Sequence, residues 1–232
     1  MNPVNGIYLT PTSIIDSDHE SVQAYAWKVI GDSLDPVDRA VKLYLAVRDG
    51  IRYDPYSPFY LPDHYRASNI LIRRRSYCVP KASLLCALGR ACGVPSRIGF
   101  ATVRNHLTTR QLLDFMGSDL FVYHGFVEFY LEGKWVKATP AFNRELCLRH
   151  QVAPLEFDGH KDSLFQPYNL ESQKFMEYVE YHGTYPDVPV ATIVSAWERT
   201  YGKDRVQRWI RMFEEHGKIS LGEFDREDII TK

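Results

Sequence analysis

Val22, Tyr25, Ala26, Val29 and Ile30 recur at the spacing of one helix face, and the run stops at Gly31. Ser17 followed by Glu20 has the form of a capping box and predicts where this helix starts. Asp35-Pro36 opens a second helix, whose stripe of Val37, Ala40, Val41 and Tyr44 runs to Gly50. The proline-rich stretch 54–62 reads as a loop. ASNILIRRR then predicts a short helix ending in Arg73, Arg74 and Arg75. SYCVPKASLLCALGRACG predicts a helix that begins near Cys78 and stops at Gly93.

Past Val94-Pro95 the pattern changes. RIGFATVR, LFVYHGFVEFYL and KWVKA are rich in β-branched and aromatic residues, and Glu132-Gly133 between the last two suits a hairpin turn. These segments predict an antiparallel sheet, interrupted by a short threonine-capped helix in TTRQLLDFMG. Beyond Asn143 comes a long polar loop. ESQKFMEYVEYHG, PVATIVSAWERTYG and DRVQRWIRMFEEHG follow, each with helical spacing and each closed by glycine. The expected fold is α+β, a helix packed on an antiparallel sheet with a helical C-terminal annex.

With 232 residues, 45% of them hydrophobic, the chain is long enough to bury a sizeable core. A formal net charge of -1 gives no global attraction for nucleic acid or an anionic membrane, so neither is expected as a partner. The N-terminal stretch lacks a basic region followed by a long apolar run, and no stretch approaches about 18 apolar residues, which argues against secretion and membrane spanning. Cys78, Cys86, Cys92 and Cys147 show no Cys-x-x-Cys spacing and read as reduced thiols in a cytoplasmic protein.

A cysteine at a helix start meets the partial positive charge of unpaired amides, which favours the thiolate. Cys78 occupies such a place, and the three arginines upstream either strengthen that field or form a solvated face. Cys86, Cys92 and Cys147 read as structural. His124 lies on a predicted strand, where alternation puts Tyr123 and Gly125 on the face opposite His124, Phe126 and Glu128. A helix-start cysteine followed by a strand histidine is an arrangement for nucleophilic catalysis, although a lone strand histidine is often structural. His106 and His160 lie in polar loops without partners at metal-ligand spacing, so no metal or cofactor is expected. No phosphate loop or serine elbow appears. Trp27, Trp135, Trp197 and Trp209 read as packing residues, and Tyr77 as a wall beside the thiol.

CVPKASLLCALGRACGVPSRIGF resembles the cysteine block of the transglutaminase-like superfamily, with an alanine four residues after the nucleophile and a helix running into Gly-Val-Pro-Ser-Arg. HGFVEFYLEGKWVKATP resembles its histidine block, and VRDGIRYD the helix and strand that precede the core. The resemblance implies one papain-like domain over 1–232, with its core at about 35–145 and a helical extension at about 165–220. It implies Cys78 as nucleophile, His124 as base and the first amides of the Cys78 helix as an oxyanion site. The aspartate expected after the tryptophan is replaced by Thr139, which leaves Thr139 or Asn143 to orient the imidazole, with Asp158 behind them. The implied activity is hydrolysis or acyl transfer on a peptide or protein amide through a thioester. The alternative is a peptide- or protein-binding module that keeps the fold and has lost turnover.

Overall fold

The computed structural model describes residues 6–219 and 221–227. Helix α1 spans Glu20–Ile30, and His19 caps it by accepting from the Ser21 amide at 3.3 Å. The capping box expected at Ser17 does not form. Ala67 N–H donates to Ile14 O and Ser68 N–H to the Asp16 carboxylate, which ties the preceding turn down and draws Ser17 into the core. Helix α2, Pro36–Gly50, starts as expected, with the Asp35 carboxylate accepting from Val37 and Asp38 amides. Strand β1 (Arg52–Tyr53) follows and pairs in parallel with β2 (Arg75–Ser76), which leaves the end of helix α3 (Ala67–Arg73).

Helix α4, Cys78–Ala91, is buried at every residue from Cys78 to Arg90. A helix that is apolar around most of its circumference has to sit in the middle of a fold. α1, α2 and α3 pack on it from one side and the sheet from another. That sheet is antiparallel throughout. β3 (Ser96–Asn105), β4 (Leu120–Leu131), β5 (Lys134–Ala138) and β6 (Met176–Tyr185) lie in the order β5-β4-β3-β6. The β4–β5 turn has positive φ at both Glu132 and Gly133, the geometry a two-residue hairpin loop requires. Helix α5, Arg110–Met116, carries the expected threonine cap, Thr109 Oγ1 accepting from Leu112 N at 3.1 Å.

Two parts of the C-terminal third differ from expectation. The segment ESQKFMEYVEYHG is not a helix, because its second half is strand β6, hydrogen-bonded along β3. β6 is an edge strand exposed over most of its first half, so its residues lack the in–out alternation by which a strand is recognised. A short helix α6, Arg144–Arg149, also forms where a loop was expected. Helices α7 (Val190–Tyr201) and α8 (Lys203–His216) are the annex, with α7 packed on β4, the strand that carries His124, and α8 packed on α7. No helix among the described residues is long and apolar enough to cross a membrane.

Candidate active site

Cys78 is the first residue of α4, and no side chain caps the helix start at Tyr77. The amides of Cys78 and Val79 and, from β4, that of Gly125 lie close enough to the sulfur to favour its charged form. The last contact needs close passage of strand and helix. A Cβ on Gly125 would lie 2.9 Å from the Val79 Cα and 3.2 Å from its Cγ2, so only glycine lets the strand approach. Gly125 directly follows His124, which brings the two expected reactive groups to one place.

The strand itself is irregular there. Ala101 pairs with His124 but Val103 with Phe121, so Val122 and Tyr123 together oppose Thr102 as a β-bulge. Tyr123 has φ 59°, a conformation that costs a non-glycine residue energy. Its ring is held by stacking on His182 of β6, with centroids 4.3 Å apart and planes 4° from parallel. His182 is in turn hydrogen-bonded to Thr102 Oγ1 at 2.8 Å. Strict alternation therefore fails, and Phe121, Tyr123 and His124 all border the same cavity.

Burial dominates the electrostatics. It pushes the Cys78 thiol up to about 11, outweighing the three amides and the more distant Lys81 ammonium that pull the other way. Desolvation alone pushes the His124 imidazole down to about 3. Thiol and imidazole are thus both neutral at rest, and the helix start does not produce the free thiolate that the sequence suggests. Phenols of Tyr53, Tyr65, Tyr77, Tyr178 and Tyr201 all sense the charge a Cys78 thiolate would carry.

His124 Nε2 is buried without a hydrogen bond, and Thr139 Oγ1 is buried beside the Tyr178 hydroxyl. Thr139 follows Ala138, which pairs with Val127, so it leaves β5 a few residues along from His124. Asn143 lies elsewhere. Its Oδ1 accepts from Tyr53 N at 2.6 Å, and its Nδ2 donates to Ile51 O at 2.8 Å and to Arg48 O. Both amide hydrogens are spent on the turn from α2 into β1, and neither is left for an imidazole. Asp158 sits in an exposed turn, accepting from the amides of His160 and Lys161.

Lys81, one turn along α4 from Cys78, was not marked by the sequence. It is fully buried and donates to Arg48 O at 2.9 Å and to Ile51 O, the carbonyls that Asn143 also serves. Burial pushes its ammonium down to about 7. Asn143→Ala is expected to cost about 2–3 kcal/mol, since Tyr53 N–H loses its acceptor while Lys81 still serves the carbonyls. Asn143→Asp should be no better, because a carboxylate cannot donate to Arg48 O and Ile51 O. Urea unfolding of both variants measures this.

Arg73, Arg74 and Arg75 do not border the cavity. Arg73 is exposed, Arg74 lies over the Tyr25 ring at 5.2 Å, and Arg75 pairs with Asp54 at 2.9 Å. His106 pairs with Glu177 and His160 with Glu132, both away from the thiol. No cluster of three or more metal-ligating side chains occurs among the described residues.

The cavity at Cys78 and His124 has a volume of about 50 Å3. Tyr77 borders it as expected. Trp197, Tyr201 and Trp209, which sequence reasoning assigned to packing or passed over, supply much of its roof from α7 and α8. Trp197 Nε1 donates to Val122 O at 2.9 Å. Tyr201 Oη donates to Leu120 O at 3.0 Å and accepts from Val122 N at 2.9 Å. The annex is thereby fastened to the strand just ahead of His124.

The fold has a counterpart among solved structures. A solved structure from Cytophaga hutchinsonii, described as a putative cysteine protease, superposes with a TM-score of 0.54 over 83% of this chain at 17% identity. This chain spans 50% of that protein. A structure described as a putative protease from Parabacteroides distasonis matches over 62% of this chain and 28% of its own, at 13% identity and a TM-score of 0.39. No curated protein matches the chain. The family model of the transglutaminase-like superfamily matches residues 23–140, a span that includes Cys78, His124 and Thr139 and just over half the chain. The chain therefore belongs to the transglutaminase-like superfamily.

Proposed function

We propose that the protein is a cysteine-dependent acyl-transferring enzyme that opens an amide or ester carbonyl through Cys78 and releases the acyl group to water. The observation that carries this reading is that Cys78 and His124 border one cavity, with the amides of Gly125, Val79 and Cys78 beside the sulfur. Sγ attacks the carbonyl carbon as its proton passes to His124. The oxyanion collects the amides of Cys78, Val79 and Gly125. The tetrahedral intermediate collapses to a thioester as His124 returns the proton to the leaving group. Water, deprotonated by His124, then hydrolyses the thioester.

Thr139 takes the place of the missing carboxylate. The buried His124 Nε2 lacks a partner, and donating its hydrogen to Thr139 Oγ1 satisfies it while the Thr139 hydroxyl reaches Tyr178. Nδ1 is then the nitrogen that receives the thiol proton. A hydroxyl adds no negative charge, so the imidazolium gains less support than a carboxylate would give.

The burial that keeps the pair neutral favours a second reading, a peptide- or protein-binding module without turnover. The two separate with 4-nitrophenyl acetate. An enzyme is expected to release one nitrophenol per chain in a burst and to carry the acetyl group on the Cys78 peptide in mass spectrometry. Cys78→Ala should abolish both signals, and His124→Ala should slow the burst by about a hundredfold or more. Wild-type protein that remains unacetylated sinks the catalytic reading.

A further inference from the structure

We infer that the annex builds an acyl-binding pocket selective for compact, uncharged, apolar acyl groups, an inference that rests on the proposed chemistry at Cys78. Among the described residues that border the cavity, none carries a formal charge at neutral pH, His124 being held neutral by its burial. The walls are aromatic and aliphatic, Phe115, Met116, Trp209, Tyr77 and Tyr123 among them. Phe115 and Trp209 stack at 4.6 Å between centroids. The polar atoms of the roof face away from an occupant in their bonding, since Trp197 Nε1 and the Tyr201 hydroxyl are taken up by the backbone of Leu120 and Val122.

Such a site offers no counter-ion and few donors to a carboxylate or carboxamide carried by the acyl group, and burying one there without a partner is costly. Its room of about 50 Å3 compares with the roughly 10–15 Å3 that one water needs on the same measure, which suits a short branched acyl chain. Trp197, Tyr201, Trp209 and Ile219 all lie beyond residue 140, outside the span shared with the family. The part of the pocket wall that these four residues supply is thus added from the C-terminal part to walls that lie within that span.

The test compares 4-nitrophenyl isovalerate with mono-4-nitrophenyl malonate. Their acyl groups have the same branched outline and differ in ending in two methyls or a carboxylate. Acylation rates of the full chain, each divided by the rate with N-acetylcysteine, are expected to favour isovaleryl by at least about a hundredfold. Trp209→Ala, which shortens one wall, should then shift preference toward octanoyl over isovaleryl by at least about tenfold, and Met116→Ala serves if that variant does not fold. Equal rates for isovaleryl and malonyl, or an acyl-length profile unchanged in the variants, overturn the inference. If Cys78 takes up acetyl but discriminates against neither acyl group, the pocket fails while the cysteine chemistry stands. A Cys78 that no ester acylates removes both.

Discussion

Lowering the pH from 7 to 4.5 is expected to cost the fold about 5 kcal/mol, shared between His124 and His64. Both rings have folded-state values below their ordinary one, His124 at about 3 and His64 at about 4, each lowered first by burial. His64 also accepts from the amides of Tyr60 and Leu61 at Nδ1, at 3.1 and 3.0 Å, which only a neutral ring can do. Once the pH falls below about 6.5 the unfolded chain binds protons that the folded chain refuses. Stability is therefore fully present above that value and falls by about 1.4 kcal/mol per pH unit for each ring, or about 2 to 3 kcal/mol each by pH 4.5. Lys81 acts with the same sign in a higher window, its contribution falling between about 10.5 and its folded value of about 7. Urea unfolding across pH 7.5 to 4.5, repeated on His124→Phe, measures the effect. The variant should show roughly half the loss, and a wild-type midpoint that stays flat would mean that His124 is charged or hydrated in the fold.

Gly125→Ala is expected to damage stability and chemistry together. The added Cβ meets the Val79 Cα at 2.9 Å, and backbone cannot swing aside as a side-chain end does. Strand β4 and the first turn of α4 must separate, at an expected cost of about 2–4 kcal/mol. The Gly125 amide moves off the Cys78 sulfur with them, so the acetylation burst should slow by about a hundredfold or more, beyond any loss of folded protein. Circular dichroism melts with burst kinetics at a temperature where the variant is folded separate the two effects. A variant with wild-type burst rate would show that the amide contributes nothing to the reaction.

Much of this architecture is written locally. The start of α2 follows from Asp35-Pro36 and the β4–β5 hairpin from Glu132-Gly133. Helix α4 declares itself by its apolar run and closing glycine, so Cys78 at its head was visible from the sequence, as was His124 on a strand. What was misread depends on distant partners. Met176, Tyr178, Val179 and Tyr181 satisfy helical spacing, and only pairing with β3 makes them a strand. Asn143 was a reasonable neighbour for an imidazole until the carbonyls of Arg48 and Ile51, some ninety residues earlier, claimed its amide. Trp197 and Trp209 looked like packing residues because the face that roofs a cavity has the same spacing as the face that fills a core.

The bulge at Val122 and Tyr123 makes β4 a strand of two parities. From His124 onward the even-numbered residues share a face, whereas before the bulge the odd-numbered Phe121 aligns with that same face, opposite Val103. Counting residues along β4 is therefore like counting across a dropped stitch. Losing either Val122 or Tyr123 would remove the bulge and restore ordinary alternation, with Phe121 and His124 still on one face, whereas losing both would make Phe121 and His124 neighbours on opposite faces and turn one of them out of the cavity. For this part of the chain, odd and even differences in length are separate kinds of event.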